Sequence, residues 1–302
     1  MAKRSLHGLA LGDAFGQTFF AKEESLDVYF REGQPAPAPW TYTDDSVMAL
    51  SIVEELAEHG FINQDRLAKR FADRYRVEPH RGYGGGAHWI LRKIGEGANW
   101  RIVAADVFEG QGSLGNGAAM RSAPLGAYFF DNLDQVVKHA RLASEVTHMH
   151  PDGIAGGIAI ALAAAFASRH RFSPQDRPEE ELIPFVQAHL PESDTRAKLN
   201  KAIALPFSSR IETAVSVLGN GSRVLATDTV PFTLWCAARH WNDWPAALWE
   251  TVSGLGDRDT TCAIVSAILA CHLNPEDLPS QWWQNLEPLP AHLQPEPEAK
   301  PS

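Results

Sequence analysis

The most apolar stretch of the chain, from Ile154 to Ala167, sets the strongest limit on how the rest can fold. It is too short, and too rich in Ala and Gly, to span a bilayer comfortably. Pro151 stands at a possible first position of a helix. Proline is tolerated there, because the backbone N–H that it lacks would have no helical partner in the first turn in any case. We therefore predict a tightly packed core helix over residues 152–168.

Apolar residues recur at helical spacing along most of the chain, and no segment has a convincing period-two alternation. After Asp44 and Asp45, for example, apolar residues share one helix face up to Gly60, which is a typical C-cap. The same reasoning predicts helices over residues 64–76, 86–95, 117–130, 133–147, 178–189, 194–204, 208–218, 229–240, 244–254 and 259–272. We expect an all-α fold.

The C-terminal part of the chain differs in composition. From residue 274 onward prolines recur every few positions, and they block regular helix. We predict one all-α domain over residues 1–273 and a Pro-rich tail over 274–302. The last dozen residues of that tail are expected to be disordered, while Trp282 and Trp283 would pin its start to the body.

Charge and cysteine content exclude several classes of protein. The formal net charge is −10 and the pI is near 5.6, whereas nucleic acids and anionic membranes need clustered Lys and Arg. We expect no nucleic acid partner and no membrane partner. Cys236, Cys262 and Cys271 form no CxxC pattern, which argues against a disulfide framework or a zinc site. A cytoplasmic protein without a signal peptide is expected, with a monomer favoured.

Two clusters of oxygen-bearing side chains stand at predicted helix starts. The first runs from Thr43 to Ser46 (TDDS) and the second from Asp257 to Thr260 (DRDT). Either cluster alone is typical of a helix cap. Brought together, they would hold like charges close, which costs energy unless a cation compensates. Their hard oxygen ligands suit Mg²⁺ or Mn²⁺, so caps and a metal site are the two alternatives. Arg258 is expected to face solvent.

Three segments are rich in glycine: residues 8–16 (GLALGDAFG), 81–86 (RGYGGG) and 112–117 (GSLGNG). Glycine permits the close backbone approach that anion-binding nests use. The last two precede predicted helices, so phosphates could bind at the helix N-termini. Ordinary turns are the alternative, and neither segment fits a Rossmann or P-loop pattern.

His148 and His150 lie where one predicted helix ends and the next begins. At that spacing two histidines on a helix diverge, so they are not expected to bind zinc jointly. Either they cap the helices, or one of them lines a pocket and contacts a phosphate or a ribose.

Five motifs occur along the chain in this order: GDAFG, WTYTDDSVMAL, GNGAAMRSAPLG, THMHP and GDRDTT. Together they resemble the ADP-ribosylglycohydrolase family, also called the dinitrogenase-reductase-activating glycohydrolase family, over residues 5–272. The resemblance implies the compact orthogonal helix bundle of that family, with two divalent cations, Mg²⁺ or Mn²⁺, below an ADP-ribose cleft. It also implies a metal-dependent hydrolase that cleaves ADP-ribose from an acceptor such as a modified arginine or serine.

The resemblance carries site residues over to this chain. The implied metal ligands are Thr43, Asp44, Asp45, Asp257, Asp259 and Thr260. Of these, Asp44, Asp45 or Asp257 would orient the attacking water or take its proton. The implied substrate-binding residues are Tyr83, Gly84, Gly85, Ser113, Leu114, Gly115, Asn116, Gly117, Met120, His148 and His150.

The chain departs from the family pattern at three positions. Phe20 stands where many members carry a glutamate that gates or assists the metal site. Ser113 replaces an aspartate of some arginine-specific relatives, and Leu114 an aromatic that stacks on adenine in others. These departures leave the linkage specificity open. The alternatives are a hydrolase of a small derivative such as O-acyl-ADP-ribose, and a non-catalytic ADP-ribose-binding protein, which Phe20 favours.

Overall fold

The computed structural model of the chain describes residues 1–21, 23–174 and 176–295, without the side chains of residues 23 and 24. In this part of the chain β-structure is limited to two isolated bridges, Trp40 with Leu286 and Gly115 with Leu225. The all-α prediction is confirmed. The α-helices are α1 (Ala2–Gln17), α2 (Glu23–Glu32), α3 (Asp44–His59), α4 (Gln64–Val77), α5 (Gly85–Gly95), α6 (Trp100–Gly110), α7 (Ala123–Tyr128), α8 (Leu133–Glu145), α9 (Pro151–Phe172), α10 (Pro178–His189), α11 (Asp194–Ala204), α12 (Ile211–Leu218), α13 (Ala226–Arg239), α14 (Trp244–Ser253), α15 (Arg258–Leu269) and α16 (Ser280–Asn285).

Helix α9 runs through the centre of the core, and it is buried without interruption from Asp152 to Ser168. Helices α7, α8, α10, α13 and α15 pack around it. The prediction of a core helix is confirmed, but the helix has 22 residues and continues to Phe172. By length and composition it could therefore cross a membrane, and the argument from shortness does not hold. In the structure 94% of its most apolar window lies inside the protein, as is typical of a core helix.

Helices α1 and α15 pack with almost no side chain between their backbones. Gly8, Gly12 and Gly16 follow one another at four-residue spacing on one face of α1. A Cβ atom at Gly12 would lie 2.2 Å from the carbonyl oxygen of Cys262, and one at Gly16 would lie 2.2 Å from that of Arg258. The glycine-rich segment 8–16 therefore serves close helix packing and is not a loop.

Other elements differ from the predicted set. The pattern analysis did not predict α1, α2 and α6, and it joined residues 117–130 into one helix. That stretch is a short 3₁₀ turn, Asn116–Ala118, followed after a turn by α7. Pro124 explains the interruption, because proline has no N–H to give and its ring clashes with the preceding turn. The remaining predicted boundaries deviate by up to three residues, as helix ends commonly do.

The start of the tail packs onto the helical body. The backbone N–H of Trp40 donates to the carbonyl of Asn285 at 2.7 Å, and that of Glu287 donates to the carbonyl of Trp40 at 2.9 Å. A short helix, α16, forms here, although the prolines led us to expect none. Residues 291–295 are described and lie against the body, and the rest of the predicted disorder, residues 296–302, falls outside the described residues. The buried tail residues are Leu278, Trp282, Leu286, Leu289 and Leu293.

The tail also binds the loop that precedes α5. The guanidinium of Arg81 donates to both carboxylate oxygens of Glu287, at 2.7 and 2.8 Å, and also lies 4.7 Å from the ring centroid of Tyr42. The backbone carbonyl of Arg81 accepts from the N–H of Asp44 at 2.7 Å. The tail, this loop and the start of α3 are thus linked through one arginine.

We expect Gly12→Ala to lower the free energy of unfolding by roughly 1–3 kcal/mol or more, because the added methyl group must push α1 and α15 apart. Gly95→Ala is the control, since its Cβ would make an ordinary contact of 3.9 Å with Ala72. Urea unfolding of both variants tests this. Equal stability of the two variants would contradict the packing argument.

Candidate functional site

The N-terminal ends of α3 and α15 meet beside α1. Thr43 caps α3 by accepting from the N–H of Asp45 at 3.4 Å, with Asp44 in the same first turn. From α15, the hydroxyl of Thr260 donates to Oδ1 of Asp45 at 3.4 Å. The two acidic clusters that lie more than two hundred residues apart in the sequence are thus one cluster in the fold.

Asp13 on α1 is a further carboxylate at this point, and it was absent from the predicted site. Its Oδ2 accepts from Thr43 N at 2.9 Å, Ser46 N at 3.1 Å and Ser46 Oγ at 2.6 Å. Its Oδ1 accepts from Thr43 Oγ1 at 2.9 Å. Asp13 therefore fixes the start of α3. A signal for it existed, since it is the one charged residue within the apolar, glycine-rich segment 8–16.

Removal from water is the main influence on these carboxyl groups. It raises the pKa of Asp13 to about 6 and that of Asp257 to about 7. It also raises the pKa of Asp44 and of Asp45 well above the usual range, and the charge of Asp13 adds to the effect. For Asp259 the pKa is raised by the same two causes, in the same order. The five groups therefore resist being ionised together at neutral pH, and a bound cation would favour their ionised forms.

Helix capping does not account for all the oxygen atoms in the cluster. Asp257 occupies the N-cap position of α15, yet its side chain accepts no capping hydrogen bond. Oδ2 of Asp45 is buried without a hydrogen-bond partner. A buried carboxylate oxygen with no donor is costly, and a cation would satisfy it.

As they stand, no three His, Cys, Asp or Glu side chains in the described residues form a group that could hold a metal ion. That finding concerns the spacing of the side chains. The donor chemistry is a separate criterion. Carboxylate and threonine oxygens, one of them unsatisfied, fit a hard divalent cation such as Mg²⁺. The donor set therefore fits such a cation, and hydroxyl oxygens complete it.

The GSLGNG loop (residues 112–117) lies beside the acidic cluster. Nδ2 of Asn116 donates to Oδ2 of Asp257 at 2.6 Å and to the hydroxyl of Thr229 at 3.0 Å. Within the loop, Ser113 Oγ accepts from the N–H of Gly115 at 3.2 Å. The loop runs into a three-residue 3₁₀ turn, Asn116–Ala118, and not into an α-helix, so the expectation of an α-helix N-terminus directly after it was wrong.

A second loop, residues 219–225, braces the GSLGNG loop and was not predicted to be part of the site. The carbonyl of Val224 accepts from the N–H of Asn116 at 3.1 Å, and the carbonyl of Asn220 accepts from the N–H of Asp257 at 3.2 Å. Val224 has a φ of 56°, which a β-branched residue rarely adopts. The signal in the sequence was a second Gly-Asn-Gly.

The loop before α5 presents an open helix N-terminus. A Cβ atom at Gly84 or Gly85 would meet nothing within 4 Å, so a ligand can approach the first N–H groups of this helix. Tyr83 is buried beside it, and its hydroxyl has no hydrogen-bond partner. Burial raises the pKa of Tyr83, and the charge of Asp44 raises it further. This segment therefore adjoins the acidic cluster, as the site prediction requires.

The two predicted histidines have different surroundings. Nδ1 of His150 accepts from the N–H of Asp152 at 3.1 Å, so His150 caps α9. His148 is buried, and its Nδ1 lies 2.7 Å from the hydroxyl of Thr147. A Cβ atom at Gly117 would lie 3.1 Å from its Nε2. His148 therefore borders the GSLGNG loop, together with the buried Met120 and the half-buried Leu114.

Arg258 is partly buried, so the expectation that it faces solvent is met only in part. Its guanidinium donates to the carbonyl of Phe19 and lies 4.5 Å from the ring centroid of Phe20. Phe20 thus covers part of the arginine between Asp257 and Asp259.

Comparison with known proteins identifies the family to which this chain belongs. The family model of the ADP-ribosylglycohydrolases matches residues 2–297. The chain is 30% identical to ADP-ribosylhydrolase ARH3 of Bos taurus over 331 residues, covering 93% of this chain and 87% of that protein. It is 29% identical to ADP-ribosylhydrolase ARH3 of Homo sapiens, with 93% of this chain and 88% of that protein covered.

The fold has a counterpart among solved structures. An "ADP-ribosylglycohydrolase-related protein complex" superimposes with a TM-score of 0.66 at 22% identity, covering 95% of this chain and 93% of that one. The fold and sequence together define an all-α hydrolase of glycosidic bonds. The chain belongs to the ADP-ribosylglycohydrolase family, so the predicted family and enzyme class are confirmed.

We expect acid to destabilise the fold through His148. Burial, and then the charge of Arg121, lowers the pKa of His148 to about 3, whereas in the unfolded chain it is about 6.5. The unfolded state therefore binds the proton more readily. The stability that the neutral imidazole contributes is complete above pH 6.5 and is lost as the pH falls toward 3.

Denaturant unfolding of wild type and His148→Gln at several pH values measures this effect. Relative to the variant, wild type should lose about 1.4 kcal/mol per pH unit below pH 6. His80→Gln, at an exposed position, is the control. A stability difference between wild type and His148→Gln that stays constant from pH 7 to pH 4 would refute the assignment.

Proposed function

We propose that the protein is a metal-dependent hydrolase that releases ADP-ribose from its glycosidic bond to an acceptor side chain of the arginine or serine type. The observation that carries the proposal is the meeting of two helix starts. Together with α1 they bring five carboxyl groups into one cluster, directly beside a glycine-rich loop that is hydrogen-bonded to that cluster.

Thr43, Asp44, Asp45, Asp257, Asp259 and Thr260 would hold two divalent cations, Mg²⁺ or Mn²⁺. When bound, the cations would supply Lewis-acid chemistry and orient the ribose hydroxyls. The protein itself makes the first turn of α3 rigid, because Asp13 fixes Thr43 and Ser46 through four hydrogen bonds. The start of α3, which carries Thr43, Asp44 and Asp45, is therefore fixed before any cation arrives.

The chain's own residues account for binding and proton transfer. The open N-terminus of α5 and the backbone of the GSLGNG loop would bind the diphosphate of ADP-ribose. Asp257 would orient the attacking water or take its proton, since Oδ2 of Asp257 contacts Asn116 and so lies between that loop and the acidic cluster. Asp44 and Asp45 are the alternative proton acceptors.

Two other functions fit parts of the same site. A hydrolase of a small derivative such as O-acyl-ADP-ribose would use the same groups and differ only in its leaving group. A non-catalytic ADP-ribose-binding protein is favoured by Phe20, whose ring lies against Arg258 where many relatives carry a glutamate. The retention of all six candidate ligands argues against that second function. A cytoplasmic location and a monomeric state stay predictions.

We expect the protein to release free ADP-ribose from one substrate class in the presence of Mg²⁺ or Mn²⁺ and none in EDTA. The substrates are arginine-ADP-ribosylated peptide, serine-ADP-ribosylated peptide and O-acyl-ADP-ribose. Asp257→Asn should lower the rate by about a hundredfold or more, as loss of a proton acceptor does. Asp243→Asn is the matched control, because Asp243 only caps α14, at 3.0 Å from the N–H of Ala246.

The outcomes separate the three functions. Release that is unchanged in EDTA excludes the metal-dependent reaction. Release from O-acyl-ADP-ribose alone identifies the small-molecule hydrolase. Tight binding of ADP-ribose without release from any substrate identifies the binding protein, and points to Phe20 as the residue to change to glutamate.

Thermal denaturation tests whether a divalent cation binds at the acidic cluster, without any activity assay. In EDTA at pH 8, Asp45→Asn should be more stable than wild type, because one member of a like-charged, buried cluster is removed. With millimolar Mg²⁺ or Mn²⁺ the order should reverse, since a cation bound to the folded state stabilises wild type alone. Asp243→Asn should respond to the cation as wild type does. If no cation changes the stability of wild type, the metal site is absent.

A further inference from the structure

Arg121 is a buried cation that follows the GSLGNG loop, and none of its hydrogen bonds goes to a carboxylate. It is 1% exposed. Nη2 donates to the hydroxyl of Thr147 at 2.7 Å and to the carbonyl of Ala143 at 3.1 Å, while Nη1 contacts the sulfur of Met48 at 3.4 Å. Burying a guanidinium in this way is costly, so its position calls for an explanation.

The contact between Arg121 and Thr147 determines where the hydroxyl proton of Thr147 goes. A guanidinium only donates hydrogen bonds, so Oγ1 of Thr147 must act as its acceptor. The hydroxyl then has its own single proton to donate. Among the described residues the one acceptor within hydrogen-bond distance of that hydroxyl is Nδ1 of His148, at 2.7 Å. Thr147 therefore donates to His148.

The tautomer of His148 follows from this direction. The ring is neutral, because burial and the nearby charge of Arg121 lower its pKa to about 3. In a neutral imidazole one nitrogen accepts and the other carries the proton. Since Nδ1 accepts from Thr147, the proton is on Nε2.

The Nε2–H group points at the GSLGNG loop. A Cβ atom would lie 3.1 Å from Nε2 if built on Gly117 and 3.5 Å if built on Gly115. Among the described residues the His148 ring makes one hydrogen bond, between Nδ1 and Thr147, so Nε2–H is free to donate to a ligand. Glycine at both positions keeps the approach to the donor clear.

We propose that Arg121 and Thr147 are positioning residues that fix His148 in the Nε2–H tautomer and so aim a neutral donor at an oxygen atom of the ligand bound by the GSLGNG loop. The ligand oxygen belongs to the diphosphate or a ribose of ADP-ribose, and in this respect the proposal rests on the proposed function. The buried charge of Arg121 thus serves the site indirectly. It orients a hydroxyl, which orients a histidine.

The tautomer is measured directly by long-range ¹H–¹⁵N correlation on protein labelled with ¹⁵N-histidine. A His148→Gln spectrum identifies the signal among the 12 histidines. Wild type and Thr147→Ser should both give the pattern of the Nε2–H tautomer. Thr147→Val, which has the same shape without the hydroxyl, should shift His148 toward a mixture of tautomers. Neither measurement depends on catalysis.

Calorimetric titration with ADP-ribose tests the consequence for binding. Thr147→Val should weaken binding by about three- to tenfold, the effect of one misdirected hydrogen bond, and Thr147→Ser should restore it. Thr251→Val is the matched control, because the buried hydroxyl of Thr251 donates to the carbonyl of Ala247 at 2.7 Å, on a helix that carries no residue of the predicted site. A merely structural role for Thr147 would weaken binding without changing the tautomer.

The proposal is overturned if His148 in wild type carries its proton on Nδ1, or if Thr147→Val leaves the tautomer unchanged. The wild-type measurement alone decides this even if Thr147→Val does not fold. If the tautomer is as expected and ADP-ribose does not bind, the ligand assignment and the proposed function fail while the orientation of His148 by Arg121 and Thr147 stands. If ADP-ribose binds but no substrate is hydrolysed, only the proposed catalysis fails.

Discussion

The structure depends on the concentration of five carboxyl groups where α1, α3 and α15 meet. Each of them is partly or wholly removed from water, and each raises the cost of ionising its neighbours. Such a cluster forms only because the backbone packing around it is strong enough to oppose the repulsion. The three glycines of α1 allow that packing, since they let α15 approach to backbone contact. The site therefore depends directly on the close packing of α1 against α15.

Much of the helical architecture could be predicted from the sequence, because apolar periodicity and capping residues act locally. Helices α10 and α11 have the predicted boundaries, and α9 is the predicted core helix. Helix α1 was missed for a physical reason: its glycines favour contact with a partner helix that is distant in sequence. Local propensity does not contain that information. Pro124 did carry a local signal against the predicted helix over residues 117–130, and it was overlooked.

The candidate site, too, could be predicted from the sequence only in part. The two acidic clusters could be found in the sequence, because hard ligands at two helix starts form an unusual pattern. Asp13 could have been found as a lone charge in an apolar segment. The bracing loop at 219–225 and the Arg121–Thr147–His148 chain could not, because they depend on side chains that meet only after folding. The orientation of Arg258 toward Phe20 likewise depends on the packing of α15 against α1.

The attachment of the tail has a consequence for how such a chain can change over time. The guanidinium of Arg81 donates to Glu287, and the backbone carbonyl of Arg81 accepts from the N–H of Asp44. A chain shortened before residue 287 would lose the anchor of a loop that borders the acidic cluster, although no tail residue belongs to the predicted site. Selection that preserves the site must therefore also preserve a proline-rich extension that contributes no residue to it. A recombination that exchanged this segment would alter the site through the contact between Glu287 and Arg81.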